Sequence, residues 1–190
     1  METRNIPELL KKFRKTEYYH RDVLWHDLRV KILKPILTEK LVNLSEAEFK
    51  NLLQSEWFMQ PRIPQQIDEI IKSNGLCEIK LRLLNLFLGQ SPINERLQAV
   101  LDLRGIGLYI ASQLLSAVDN DYIIYHEKVL EGIRDILPDL EDILPNEISD
   151  AEKYLYFNEI CKSIKDTFGF KSLGEVHEFF WHGHDTNWEF

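Results

Sequence analysis

Apolar residues recur along this chain at helical spacing from one end to the other, and nearly every run is bounded by a residue that starts or stops a helix for a physical reason. No stretch alternates apolar and polar residues long enough to form a half-buried strand, so the predicted class is all-α. Ile6 to Tyr18 and Arg21 to Leu33 read as two helices, the second ending ahead of Pro35, because proline pushes the preceding residue out of helical geometry. Ser45 with Glu48 is a capping box opening a helix through Phe58, with Phe49, Leu52, Leu53 and Trp57 on one face. Pro61 and Pro64 then interrupt the chain. Gln65 to Ser73 closes on Asn74-Gly75, since glycine tolerates a left-handed stop, and Leu76 to Leu88 ends at Gly89. Ser91-Pro92 begins a helix carrying Leu97, Val100 and Leu101, and Leu108 to Val118 follows. Ser149 with Glu152 caps a helix through Lys165 that Gly169 stops, and Leu173 to Trp181 is the last. The pieces read as one compact body over residues 1–190, and a division into two lobes would fall near Gly89 to Pro92.

With 190 residues, 44% hydrophobic and 11% aromatic, the chain has material for a packed core. No apolar run reaches the roughly 18 to 20 residues of a membrane span, and the first fifteen residues lack the apolar core of a signal peptide. Cys77 and Cys161 are too few for a disulfide framework or a four-thiolate cluster, which fits a reducing, cytoplasmic setting. The net charge of −8 works against a polyanionic partner unless positive charge is gathered on one face. Residues 1–40 hold 10 basic against 6 acidic side chains, whereas residues 131–152 hold 8 acids and a single arginine, a face suited to a protein partner.

The segment with the most specific chemistry is Leu101-Asp102-Leu103-Arg104-Gly105-Ile106-Gly107-Leu108-Tyr109-Ile110-Ala111, inside a helix-hairpin-helix element over residues 97–118. Two glycines one residue apart permit a tight reversal and close approach of another backbone. The helix that starts at Leu108 turns its amides and the positive end of its dipole toward that reversal, which favours an anion there. A dinucleotide-binding fingerprint would need a preceding strand and a third glycine where Ile110 stands. A helical turn without any ligand is the plain alternative.

Leu103 to Leu115 resembles the hairpin of the helix-hairpin-helix DNA glycosylase superfamily, whose pattern is apolar-x-Gly-apolar-Gly-x-x-Thr-Ala, with Ile110 in place of threonine. The spacing of Trp57, Asn74-Gly75, the hairpin and Phe179-Phe180-Trp181 is similar to helix-hairpin-helix proteins associated with restriction and defence genes. The resemblance implies that Arg104 and the amides of Gly105, Gly107, Tyr109 and Ile110 contact a DNA phosphate. It also implies a potassium or sodium ion under the turn, held by carbonyls of Leu101, Leu103 and Ile106. Members that cut the backbone carry a lysine where this chain has Tyr109, and the shared catalytic acid falls on His126, or on Glu127 if the register moves by one. A histidine replaces a carboxylate poorly in glycosidic chemistry. The resemblance therefore points to a non-catalytic protein that holds duplex DNA by its phosphates, in repair or defence. An active base-excision glycosylase with a displaced acid, and a helical protein-interaction module using residues 131–152, are the alternatives. No cofactor is required, and the cysteine count excludes the family's iron-sulfur cluster.

Four other groups of residues have chemistry of their own. His177, His182, His184 and Asp185 suit zinc chemically, but Gly183 is expected to end the helix and break their spacing. Trp25, Trp57 and Phe180 are expected in the core, whereas Tyr109 and Tyr125 flank the hairpin groove. Lys11, Lys12, Arg14, Lys15, Arg21, Arg29, Lys31 and Lys34 form a supplementary phosphate track or a solvated face. Asp119 and Asp121 precede the apolar stretch 122–125 and read as loop caps.

Overall fold

The computed structural model describes residues 5–58, 63–138 and 148–190, and among these residues all regular structure is helical. Locally coded caps set most of the boundaries. Asn5 accepts the Glu8 amide to start α1 (Ile6–Phe13), and complete capping boxes on Ser45 and Ser149 start α3 (Glu46–Leu53) and α9 (Asp150–Phe168). Gly75, at φ 79°, separates α4 (Ile63–Asn74) from α5 (Leu76–Leu88), and Gly169, at φ 74°, ends α9. Pro92 itself caps α6 (Ile93–Leu101), one residue later than the Ser91 cap expected. The chain then forms α7 (Leu108–Ser116), α8 (Glu127–Ile136) and α10 (Leu173–Asp185).

Several boundaries depart from expectation. The first helix stops at Phe13, and α2 (Leu24–Pro35) is flanked by π-helical turns over Tyr19–Val23 and Ile36–Lys40. Pro35 does not end the helical path. The wider turn after it accommodates the missing amide, and the Thr38 hydroxyl donates to the Lys34 carbonyl at 2.8 Å. Trp57 lies beyond α3, which ends at Leu53, and Pro64 sits in the first turn of α4; Pro61 lies outside the described residues. α8 is not among the helices expected from the sequence; it begins just after the apolar stretch 122–125. Gly183, expected to end the last helix, lies inside α10; a β-carbon there would come within 2.2 Å of the Trp188 ring, so the glycine seats an indole.

Two hydrophobic clusters build the interior. The first runs from Leu33 to Val118 and adds Ala151 and Tyr154 from α9. The second joins Ile6, Leu10 and Phe13 of α1 to Val129 and Ile133 of α8, Phe157 and Cys161 of α9, and Phe179 and Phe180 of α10. Both helices beside Gly89 to Pro92 belong to the first cluster, and the chain passes between clusters elsewhere, between Val23 and Leu33 and again near Asp119 to Tyr125. That extended segment is pinned to α9: Asn158 accepts the Ile123 amide and donates to the Asp121 carbonyl, and the Tyr154 hydroxyl donates to the Ile123 carbonyl. Gly132 lets α8 lie against α10, where a β-carbon would stand 2.4 Å from the Phe180 carbonyl oxygen. Among the described residues no helix is long and apolar enough to cross a membrane.

Candidate functional site

The reversal between α6 and α7 is wound by three main-chain bonds: Asp102 to Gln98, Leu103 to Val100 and Ile106 to Leu103. Leu103 and Ile106 are buried and anchor it, while Arg104, Gly105 and Gly107 are exposed. Asn74, read from sequence only as part of a helix stop, clamps the turn. Its Oδ1 accepts the Arg104 amide and its Nδ2 donates to the Arg104 carbonyl, each at 2.9 Å.

The two glycines have different reasons. Gly105 has φ 88° and a β-carbon there would lie 2.9 Å from Ile70, so both backbone and packing require it. Gly107 has φ −103° and ψ 179°, a conformation any residue adopts, and a β-carbon there would meet nothing within 4 Å. Nothing inside the protein demands glycine at 107. The first turn of α7 also carries no acidic side chain, although a helix start favours one. Beside Gly105 the surface forms a depression lined by Gln66, Glu69, Lys72, Ser73 and Arg104. Of the carbonyls assigned to a cation, that of Leu103 already accepts the Ile106 amide at 3.1 Å.

Of the residues expected to touch a ligand or do chemistry, Tyr109, Ile110, Tyr125 and His126 are half-buried, and Glu127 is exposed. Tyr109 lies edge-on to His126 at 5.2 Å, and burial pushes its phenol up to about 12 against the opposing charge of Arg29 and a hydrogen bond with Gln113. Ile110 is half-buried against the first cluster. Tyr125 packs edge-on against Phe157, and its amide donates to Ser112, so it supports α7 from behind. His126 caps α8: its Nδ1 accepts the Lys128 amide at 3.1 Å. Burial, aided by the neighbouring His177 and Lys128, brings its imidazole down to about 4. The ring is neutral at pH 7, and its accepting nitrogen is committed, leaving Nε2 as a donor alone. Glu127 is exposed in the first turn of α8. Neither residue presents a sheltered carboxylate. Asp119 accepts the Asp121 amide and acts as the loop cap expected.

Arg29 departs furthest from its expected role. Instead of a surface phosphate contact it is wholly buried, donating to the Trp57 carbonyl at 2.7 Å, to Ser116 Oγ at 2.8 Å and to the Gln113 carbonyl. Its guanidinium lies between Trp25 and Phe58, 5.1 and 5.4 Å from their ring centres, and Trp25 in turn stacks on Trp57. Trp25 and Trp57 are therefore half-buried walls of this cation's site, while Phe180 is fully buried as expected. Arg14 pairs with Glu175 and the exposed Arg21 with Asp22, while Lys11, Lys12, Lys15, Lys31 and Lys34 are the other exposed members of the basic track.

The C-terminal histidines also separate. His184 pairs with Asp135 and Glu131, and Asp185 with Lys128, on the outer side of α8. His177 and His182 turn inward to Glu178, where His26 of α2 joins them. His26 and Glu178 went unnoticed in the sequence, since 152 residues separate them. The acidic stretch 131–152 is described only outside 139–147, and two of its described acids, Glu131 and Asp135, are occupied by His184.

No known protein family, no curated protein and no solved structure matches this chain.

Proposed function

We propose that the protein grips duplex DNA by a backbone phosphate at the α6–α7 reversal and excises no base. The observation that carries this reading is Gly107: a glycine at a helix start, exposed, in ordinary backbone geometry, with open space where its side chain would be. A phosphate resting on the amides of Gly105, Gly107, Tyr109 and Ile110 would fill that space, with Arg104 alongside and a potassium or sodium ion on the carbonyls of Leu101, Leu103 and Ile106 beneath. Such contacts fix position and read no sequence. A role in repair or defence follows from the resemblance of the hairpin. The commitment of His126 Nδ1 to its cap supports the non-catalytic reading.

Titration of labelled duplex at low salt tests this. Gly107→Glu adds bulk and negative charge in open space without disturbing the fold, and affinity falls at least about tenfold, with a salt dependence shallower by about 0.9 per lost phosphate. Unchanged affinity overturns the reading. Duplexes carrying uracil, alkylated purines or oxidised guanine remain intact; abasic sites that disappear with His126→Ala or Glu127→Gln would establish the glycosylase instead. One observation favours a protein-contact role: Leu24, Leu28 and Ile32, at 58%, 49% and 40% exposure, form a stripe on α2. Self-association or partner capture abolished by Leu28→Asp, in a protein that ignores DNA, would select that reading.

A further inference from the structure

Where α2 crosses α10, one carboxylate is surrounded by imidazoles. Glu178 Oε1 lies 2.8 Å from His26 Nε2 and 2.9 Å from His177 Nδ1, and its Oε2 lies 3.3 Å from His182 Nε2. His182 Nε2 lies 3.0 Å from Asp22 Oδ2. Glu178 and His177 are 2% and 0% exposed and His26 is 8% exposed, so the inner three are shut away from bulk water. The approach is built into the backbone: a β-carbon at Gly174 would lie 2.8 Å from Cβ and Cγ of His26, so only a glycine lets the start of α10 come this close to that imidazole.

A buried carboxylate needs positive charge beside it. The nearby cation, Arg29, is spent on Trp57, Ser116 and Gln113. Without an ion, His26 and His177 must both donate to the same carboxylate oxygen. A divalent ion supplies that charge directly, because each neutral imidazole can turn a lone pair toward it and carry its proton on the other ring nitrogen.

We infer that His26, His177 and Glu178 form a binding site for a first-row divalent cation of the zinc type, with His182 and Asp22 orienting the carboxylate from its other oxygen. The three ligand atoms lie within 4.8 Å of one another. Ligand atoms about 2.0 to 2.1 Å from a tetrahedral ion stand about 3.3 Å apart, so contacts now at 2.8 and 2.9 Å need to open by about half an ångström. Two nitrogens and one carboxylate oxygen suit zinc or cobalt better than calcium or magnesium. The fourth position is filled by water. The ion would tie α2 to α10, and this inference stands apart from DNA binding at the hairpin.

The test uses the whole protein stripped with a chelator, then titrated with zinc against a chromophoric competitor and, separately, with cobalt(II). The expected result is one equivalent bound, the intense visible bands of four-coordinate cobalt, and a higher Tm with zinc than without. Glu178→Gln and His177→Gln weaken binding by at least about 100-fold, Asp22→Asn by about 10-fold, and His184→Gln leaves it unchanged. If the wild-type protein takes up no zinc and cobalt gives no such bands, the site does not exist. If uptake survives in Glu178→Gln or is lost in His184→Gln, the ion sits elsewhere and the inference fails.

Discussion

Arg29→Met distinguishes between two views of a buried cation. Burial draws the guanidinium down from 12.5 to about 9, which leaves it charged at neutral pH and corresponds to about 5 kcal/mol against the charged form. Against this stand three hydrogen bonds from a charged donor, each worth about 1.5 to 3 kcal/mol, and two desolvated contacts with the faces of Trp25 and Phe58 at about 1 to 2 kcal/mol each. The balance favours arginine by a few kcal/mol. Methionine fills similar volume and removes the charge penalty, but withdraws the donors from the Trp57 and Gln113 carbonyls. The expected loss is about 2 to 3 kcal/mol. Urea unfolding followed by circular dichroism reads it, with Tm lower by roughly 5 to 10 °C for a domain of this size. Arg29→Lys loses at least as much, since an ammonium keeps the buried charge but neither stacks between the rings nor reaches three acceptors. A methionine variant as stable as the parent, or more stable, would refute this account and place Arg29 among buried charges that apolar residues replace without loss.

Gly132→Ala forces a β-carbon into the Phe180 carbonyl and separates α8 from α10, lowering stability by about 2 to 3 kcal/mol; an unchanged urea midpoint contradicts the packing described. His126 titrates near 4 in the folded protein and near 6.5 when unfolded, so across that window the unfolded chain binds a proton that the fold refuses, and stability falls as pH falls. The full shift would be worth about 3 kcal/mol; allowing for the half of the ring that water screens, about 1 to 2 kcal/mol remains. His126→Asn preserves a capping side chain and removes that part of the slope, which unfolding curves at pH 4 and 7 measure directly. A slope unaltered by the substitution would show that the imidazole is not held neutral.

Features coded within a single turn were legible in the sequence. Ser45 with Glu48, Ser149 with Glu152, Gly75 and Gly169 act through neighbours three to five residues away, so their side chains announce them. The reversal at Gly105 and Gly107 was legible for the same reason. α8 escaped because its cap is an imidazole, a poor sequence signal, and because an extended apolar segment leads into it. Arg29 was misplaced on the surface although its spacing held the answer: His26, Arg29 and Leu33 share one helical face, and all three are buried. The histidine cluster was beyond reach, since it depends on two helices from opposite ends of the chain meeting over Gly174.

The second hydrophobic cluster also governs the order in which the molecule can be completed. Phe13 of α1 packs against Phe179 and Phe190, and Arg14 against Glu175. During synthesis the first cluster can gather as soon as residues up to Val118 have emerged, short of Ala151 and Tyr154. Helix α1 emerges well ahead of α10, so its Phe13 stays uncovered on that side until Phe179 and Phe190 follow, and the second cluster closes only when the two distant segments meet.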